Sequence, residues 1–63
     1  MQPFQERVVQ EKAELDEKID KLAAFVPGAI GIVSFEELSR LIAQLDVMTE
    51  YSLILGERIA AFE

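Results

Sequence analysis

The sequence has no cysteine, no histidine and no tryptophan, and only three glycines and two prolines in 63 residues. Each absence removes a class of protein. Without cysteine there is no disulfide to staple a small fold, and without His or Cys a structural zinc site cannot be built; carboxylates and carbonyls suit calcium or magnesium instead. Catalysis loses its usual groups as well. There is no imidazole to act as a base near neutral pH, no thiol nucleophile, no glycine-rich phosphate loop after a strand, and no Glu-x-x-His pair for a di-iron bundle. The neighbouring acids Glu36-Glu37 and Glu14, Asp16 and Glu17 read as a helix-capping turn and a solvated face. A non-enzyme without a cofactor is the expectation.

Cations are also scarce. Six Lys and Arg stand against twelve Asp and Glu, a net charge of −6, so the chain lacks the clustered basic surface with which proteins neutralise duplex nucleic acid or an anionic membrane. No apolar run approaches the roughly 20 residues of a membrane span, and the first residues lack the basic and apolar regions of a secretory signal. A cytoplasmic protein is the reading by default.

What the chain does have is apolar residues, 51% of the total. A 63-residue monomer buries only about 60% of the surface its unfolded chain exposes, so this excess predicts contact with other copies. The pattern is helical throughout. Val8, Leu15, Ile19, Leu22 and Val26 recur at steps of four and seven among polar residues, predicting an amphipathic helix over about 3–26, opened by Pro3 and stopped by Pro27-Gly28. Lys12 takes the seam position between Val8 and Leu15, where either its stem packs while the ammonium reaches solvent, or it sets register or meets a buried anion.

The second helix, about 35–62, is signalled by Ser34 as N-cap, Glu37 as capping-box partner, and Val33 with Leu38 as a hydrophobic staple. From Leu38 a heptad stripe runs through Leu41, Leu45, Met48, Ser52, Leu55, Ile59 and Phe62. A second set, Ile42, Val47, Tyr51, Leu53 and Ile54, makes the helix apolar around much of its girth. With residues 27–33 as an apolar turn, the expected fold is all-α: one domain, an antiparallel helical hairpin that assembles into a homo-oligomeric bundle. Leu45, Met48, Ser52, Leu55, Ile59 and Phe62 are its expected oligomer interface. Gly56 signals a close backbone approach, a bend, or the end of the regular helix.

With the turn near residue 30, facing residues total about 60 in number. Lys18, Lys21 and Arg40 then gather towards the turn, and Arg7 and Arg58 at the open end. Tyr51 and Arg58 share a helix face, so that Arg7, Arg58, Tyr51 and Lys12 could hold a phosphate and stack a base. Ordinary surface pairing with Glu6, Glu11, Glu57 or Glu63 is the competing reading.

The segments from Phe4 to Val26 and from Met48 to Glu63 resemble a family of small phage-encoded proteins related to a gene product of a crAss-like phage. The resemblance rests on Gln5-Glu6-Arg7-Val8-Val9, Glu11-Lys12, Leu15-Asp16-Glu17-Lys18, Met48, Tyr51-Ser52 and Arg58-Ile59, and covers nearly the whole chain; the turn is more apolar than the family pattern. It implies a phage protein acting in the bacterial cytoplasm. By analogy with phage anti-defence sponges it implies sequestration of a cyclic di- or trinucleotide, or a related signal, between subunits, with Arg7, Lys12, Tyr51 and Arg58 as the ligand-binding set. Two other readings stay open: an interaction module using the acids Glu11, Glu14, Asp16, Glu17 and Asp20 against a host protein, and a structural oligomer with no separate ligand.

Overall fold

The computed structural model describes all 63 residues as two helices, α1 over Pro3–Ala29 and α2 over Phe35–Ala60. They pack side by side into a rod of 47 × 14 × 13 Å. No helix is long and apolar enough to cross a membrane.

Local chemistry fixes both starts. At α1 the Gln2 backbone N–H donates to Gln5 Oε1 at 2.8 Å, with Pro3 opening the helix. At α2 Ser34 Oγ accepts from the Glu37 N–H at 3.1 Å. The expected capping box is only half formed, because the Glu37 carboxylate accepts from Arg40 Nε at 2.8 Å instead of reaching back.

The expected stop at Pro27-Gly28 does not occur. Pro27 lies inside α1, which continues to Ala29. Lacking an N–H, a proline forfeits one bond to the residue four back, and one missing bond in the last turn is tolerable. The chain reverses instead at Gly31, whose φ of 82° is the left-handed conformation that glycine adopts without penalty. Ile30 at φ −61° and ψ 123° precedes it, and the Ile32 N–H donates to Ala29 O at 2.9 Å. Together these define a type II turn. At the far end α2 stops at Ala60, two residues short of the expected 62.

This later turn shifts the register. Facing residues total about 64, as in Lys12 with Ser52, Glu11 with Tyr51 and Phe4 with Phe62, where the sequence reading placed them near 60.

The seam is narrow. Five of 63 residues are buried, and Leu55 alone among the large side chains is fully enclosed. The heptad stripe expected to meet other copies is turned towards α1: Ser52 and Leu55 are buried, and Leu45, Met48, Ile59 and Phe62 half-buried. The physical reason is connectivity. A second helix tethered by a short turn reaches the stripe before any other copy does. What stays uncovered is the second apolar set, with Ile42, Val47, Tyr51, Leu53 and Ile54 all exposed.

Candidate functional site

Two polar contacts across the seam orient everything else. Lys12 Nζ donates to Asp16 Oδ2 and to Ser52 Oγ, each at 2.9 Å, and Ser52 Oγ donates to Asp16 Oδ1. Three side chains from two helices thus form a closed clasp. Lys12 and Asp16 are 30% and 45% exposed, so the clasp sits at the edge of the seam, where water screens it only partly. Lys12 and then Ser52 hold the Asp16 carboxyl below its ordinary value. Gly56 belongs to the same feature: a Cβ there would stand 3.3 Å from Lys12 Cε. Of the three meanings Gly56 had in the sequence, close approach is the one realised.

One residue before each clasp position lie Glu11 and Tyr51, and the Tyr51 hydroxyl donates to Glu11 Oε2. This bond raises the Tyr51 phenol above its ordinary pKa, while nearby Arg58 opposes the shift. Because side chains three, four and seven residues apart share a helix face, this pair defines a whole flank of the rod. Steps from Glu11 place Arg7, Glu14 and Lys18 on it, with Phe4 and Phe25; steps from Tyr51 place Arg58, Arg40, Glu36, Val47 and Ile54. Arg7 and Arg58 total 65 and therefore stand at one level. The proposed quartet is thus divided: Arg7, Tyr51 and Arg58 share a flank, and Lys12 is engaged in the seam by an acid.

The flank mixes charges, but its cations divide in a specific way. Ion pairs take Lys12 with Asp16, Lys21 with Glu17 and Arg40 with Glu37, which leaves Arg7, Lys18 and Arg58 without an acidic partner. No ion pair joins Arg7 or Arg58 to Glu6, Glu11, Glu57 or Glu63. Among the acids of the interaction-module reading, Glu11 holds Tyr51, Glu14 accepts from Gln10, Asp16 joins the clasp and Glu17 pairs with Lys21. Only Asp20 is free.

The opposite flank follows from the residues just after the clasp, Ala13 and Leu53. It carries Glu6, Val9 and Asp20 from α1, and Phe35, Ile42, Asp46, Thr49 and Ala60 from α2. It has no cation. The one concavity, a shallow open trough of about 460 Å³ on the outer side of α2, is lined by Asp46, Val47, Thr49, Glu50 and Leu53. Its two carboxylates oppose an anion, and it lies away from Arg7 and Arg58. A single chain therefore has unpaired cations on one flank but no pocket behind them. Sequence periodicity could place Arg7, Tyr51 and Arg58 together; the Asp16 and Glu11 partners depended on the register and could not be read from spacing alone.

Fold and flank define a small all-α protein, a two-helix hairpin with a polar clasp and a solvent-facing row of unpaired cations beside a tyrosine. Residues 2–61 match the model of the Sequestin family, and the chain belongs to that family, whose name indicates sequestering. No curated protein and no solved structure matches the chain.

Proposed function

We propose that the protein is a non-enzymatic sponge of phage origin. In the cytoplasm of an infected bacterium it sequesters a cyclic nucleotide immune signal at junctions between copies of itself. Arg7 and Arg58 contact phosphates, and Tyr51, its ring held by Glu11, stacks a base. Lys12 acts from behind as a strut, since its ammonium is already bound by Asp16 and Ser52. The observation that carries this reading is the pair of unpaired guanidinium groups at one level on the flank that also presents Tyr51. Membership of a family named for sequestering supports the general class of function. The side chains support that choice of ligand: two planar cations suit phosphate, and an exposed ring suits a base.

A thermal-shift panel of cyclic di- and trinucleotides and cyclic ADP-ribose isomers tests it. A ligand at 100 times its dissociation constant stabilises the folded state by about 2.7 kcal/mol through mass action alone. At least one member should therefore raise the melting temperature by several degrees, and Arg58→Ala should remove the shift. A flat panel at high micromolar ligand would overturn the reading.

A further inference from the structure

The flank that presents Tyr51 carries its charges in alternating blocks. Along α1, Arg7 is followed by Glu11 and Glu14, and these by Lys18 and by Lys21, which lies seven residues beyond Glu14. Along α2 the same flank runs from Glu36 and Glu37 through Gln44 and Val47 to Tyr51 and Arg58. Arg7, Lys18 and Arg58 pair with no acid, and Glu14 and Glu36 with no cation. Val47 and Ile54, both exposed, lie among them.

We infer that two copies of the chain pair antiparallel through this flank, face to face, as a four-helix bundle whose two-fold axis crosses both helices at their middles. The blocks select that arrangement. α1 spans Pro3–Ala29 and α2 Phe35–Ala60, so their midpoints fall at Asp16 and beside Val47, and the facing of Lys12 with Ser52 sets the two midpoints at one height. Reversal about them lays α1 on the partner's α1, which brings Glu14 level with the partner's Lys18 and Glu11 level with the partner's Lys21. It lays α2 on the partner's α2, which brings Arg58 level with the partner's Glu37, Tyr51 level with the partner's Gln44, and Val47 to the axis. Acid meets cation at all three charged contacts, in the register of fullest overlap. Arg7 faces the partner's Phe25, a ring 53% exposed in the single chain.

The other two-fold arrangements fail. A parallel pair lays α1 on the partner's α2 at unchanged height, setting Arg7 on the partner's Arg58. The opposite flank, with Glu6, Asp20 and Asp46 and no cation, can offer a second copy only acids against acids. Antiparallel pairing also alters the candidate ligand site. Within one chain Arg40 lies about three turns from Tyr51, but in the pair the partner's Arg40 stands level with Leu55, between Tyr51 and Arg58. A second copy thus adds a guanidinium and a wall to a flank that has no pocket of its own. This last consequence rests on the ligand reading proposed above; the pairing does not.

Sedimentation velocity and native mass spectrometry of the full chain, at micromolar concentration, test the pairing with residues outside the proposed binding set. Wild type should form a dimer that loosens at high salt. Glu14→Lys and Lys18→Glu should each keep their helical circular dichroism and weaken the dimer about tenfold, because each sets like charges together at two symmetry-related contacts. Combining both changes in one chain, or mixing the two single variants, should restore it. The chain has no cysteine, so Val47→Cys probes orientation: it should cross-link two copies under mild oxidation, and Leu53→Cys on the other flank should not. A wild type that stays single or forms a trimer overturns the inference, as does a doubly reversed chain no better than either variant, or Leu53→Cys cross-linking as readily as Val47→Cys. Where a nucleotide binds, Arg40→Ala should weaken it about tenfold with the dimer intact; unchanged affinity would strike the partner's Arg40 from the site. A flat nucleotide panel with the dimer intact would count against the ligand alone.

Discussion

The two ends of the rod are held in different ways. At the open end the clasp of Lys12, Ser52 and Asp16, the Tyr51–Glu11 bond and an edge-on Phe4–Phe62 pair with centroids 6.3 Å apart join the helices. Four of the five buried residues, Gln5, Val8, Ser52 and Leu55, lie there too. At the turn end no side-chain hydrogen bond crosses between the helices. Phe25, Ile30, Ile32 and Phe35 stand 53 to 81% exposed. The difference follows from connectivity: the turn keeps its own end together, whereas forty residues further round the chain only specific contacts can do so. Packing is concentrated where the covalent link helps least.

Mutations can sharpen that contrast. Leu55→Ala empties the one fully enclosed large side chain and should cost about 2–5 kcal/mol, read by urea or thermal unfolding. A cost under about 1 kcal/mol would show that the open end is not the anchor. Gly31→Ala strains the left-handed turn residue and should cost about 1 kcal/mol; indifference there would mean that the turn can re-form without its type II geometry. Ile32→Ser, at the most exposed apolar side chain, should change hairpin stability by less than about 0.5 kcal/mol in either direction.

The clasp adds a pH signature. Because Asp16 is held below its ordinary value of 3.8 by Lys12 and Ser52, its contribution is present above pH 3.8 and lost as pH falls through the lower folded value. The stability gap between wild type and Asp16→Asn should therefore be open at neutral pH and close under acid. A gap of constant size down to pH 2 would separate Asp16 from the clasp.

Much of this was legible in the sequence, and the remainder was lost for identifiable reasons. Apolar periodicity gave two helices, and Ser34 marked the start of α2 because N-cap chemistry is local. The end of α1 was misplaced: Pro27 reads as a stop, yet a proline in a final turn removes only one hydrogen bond, and the decisive residue was Gly31. That error of about one turn moved the facing sum from 60 to 64. It left Tyr51 and Arg58 on one face, since spacing within a helix does not depend on register, and brought Arg7 of α1 closer to the level of Arg58. Lys12 could not be resolved at all. Its choice between solvent and a seam partner rests on which residue α2 brings opposite, and Ser52, the lone polar residue of its stripe, was the available signal. The heptad stripe faces α1 within the chain, and nothing in a periodicity distinguishes a partner in the same chain from one in the next.

The central claim is that uncovered flanks of a two-helix rod are closed by further copies of the chain. Sedimentation equilibrium across the micromolar range measures this most directly. Masses of two or more chains that persist on dilution are the predicted result. A compact hairpin that sediments as one chain at every concentration, and still melts in a single cooperative step, would contradict it.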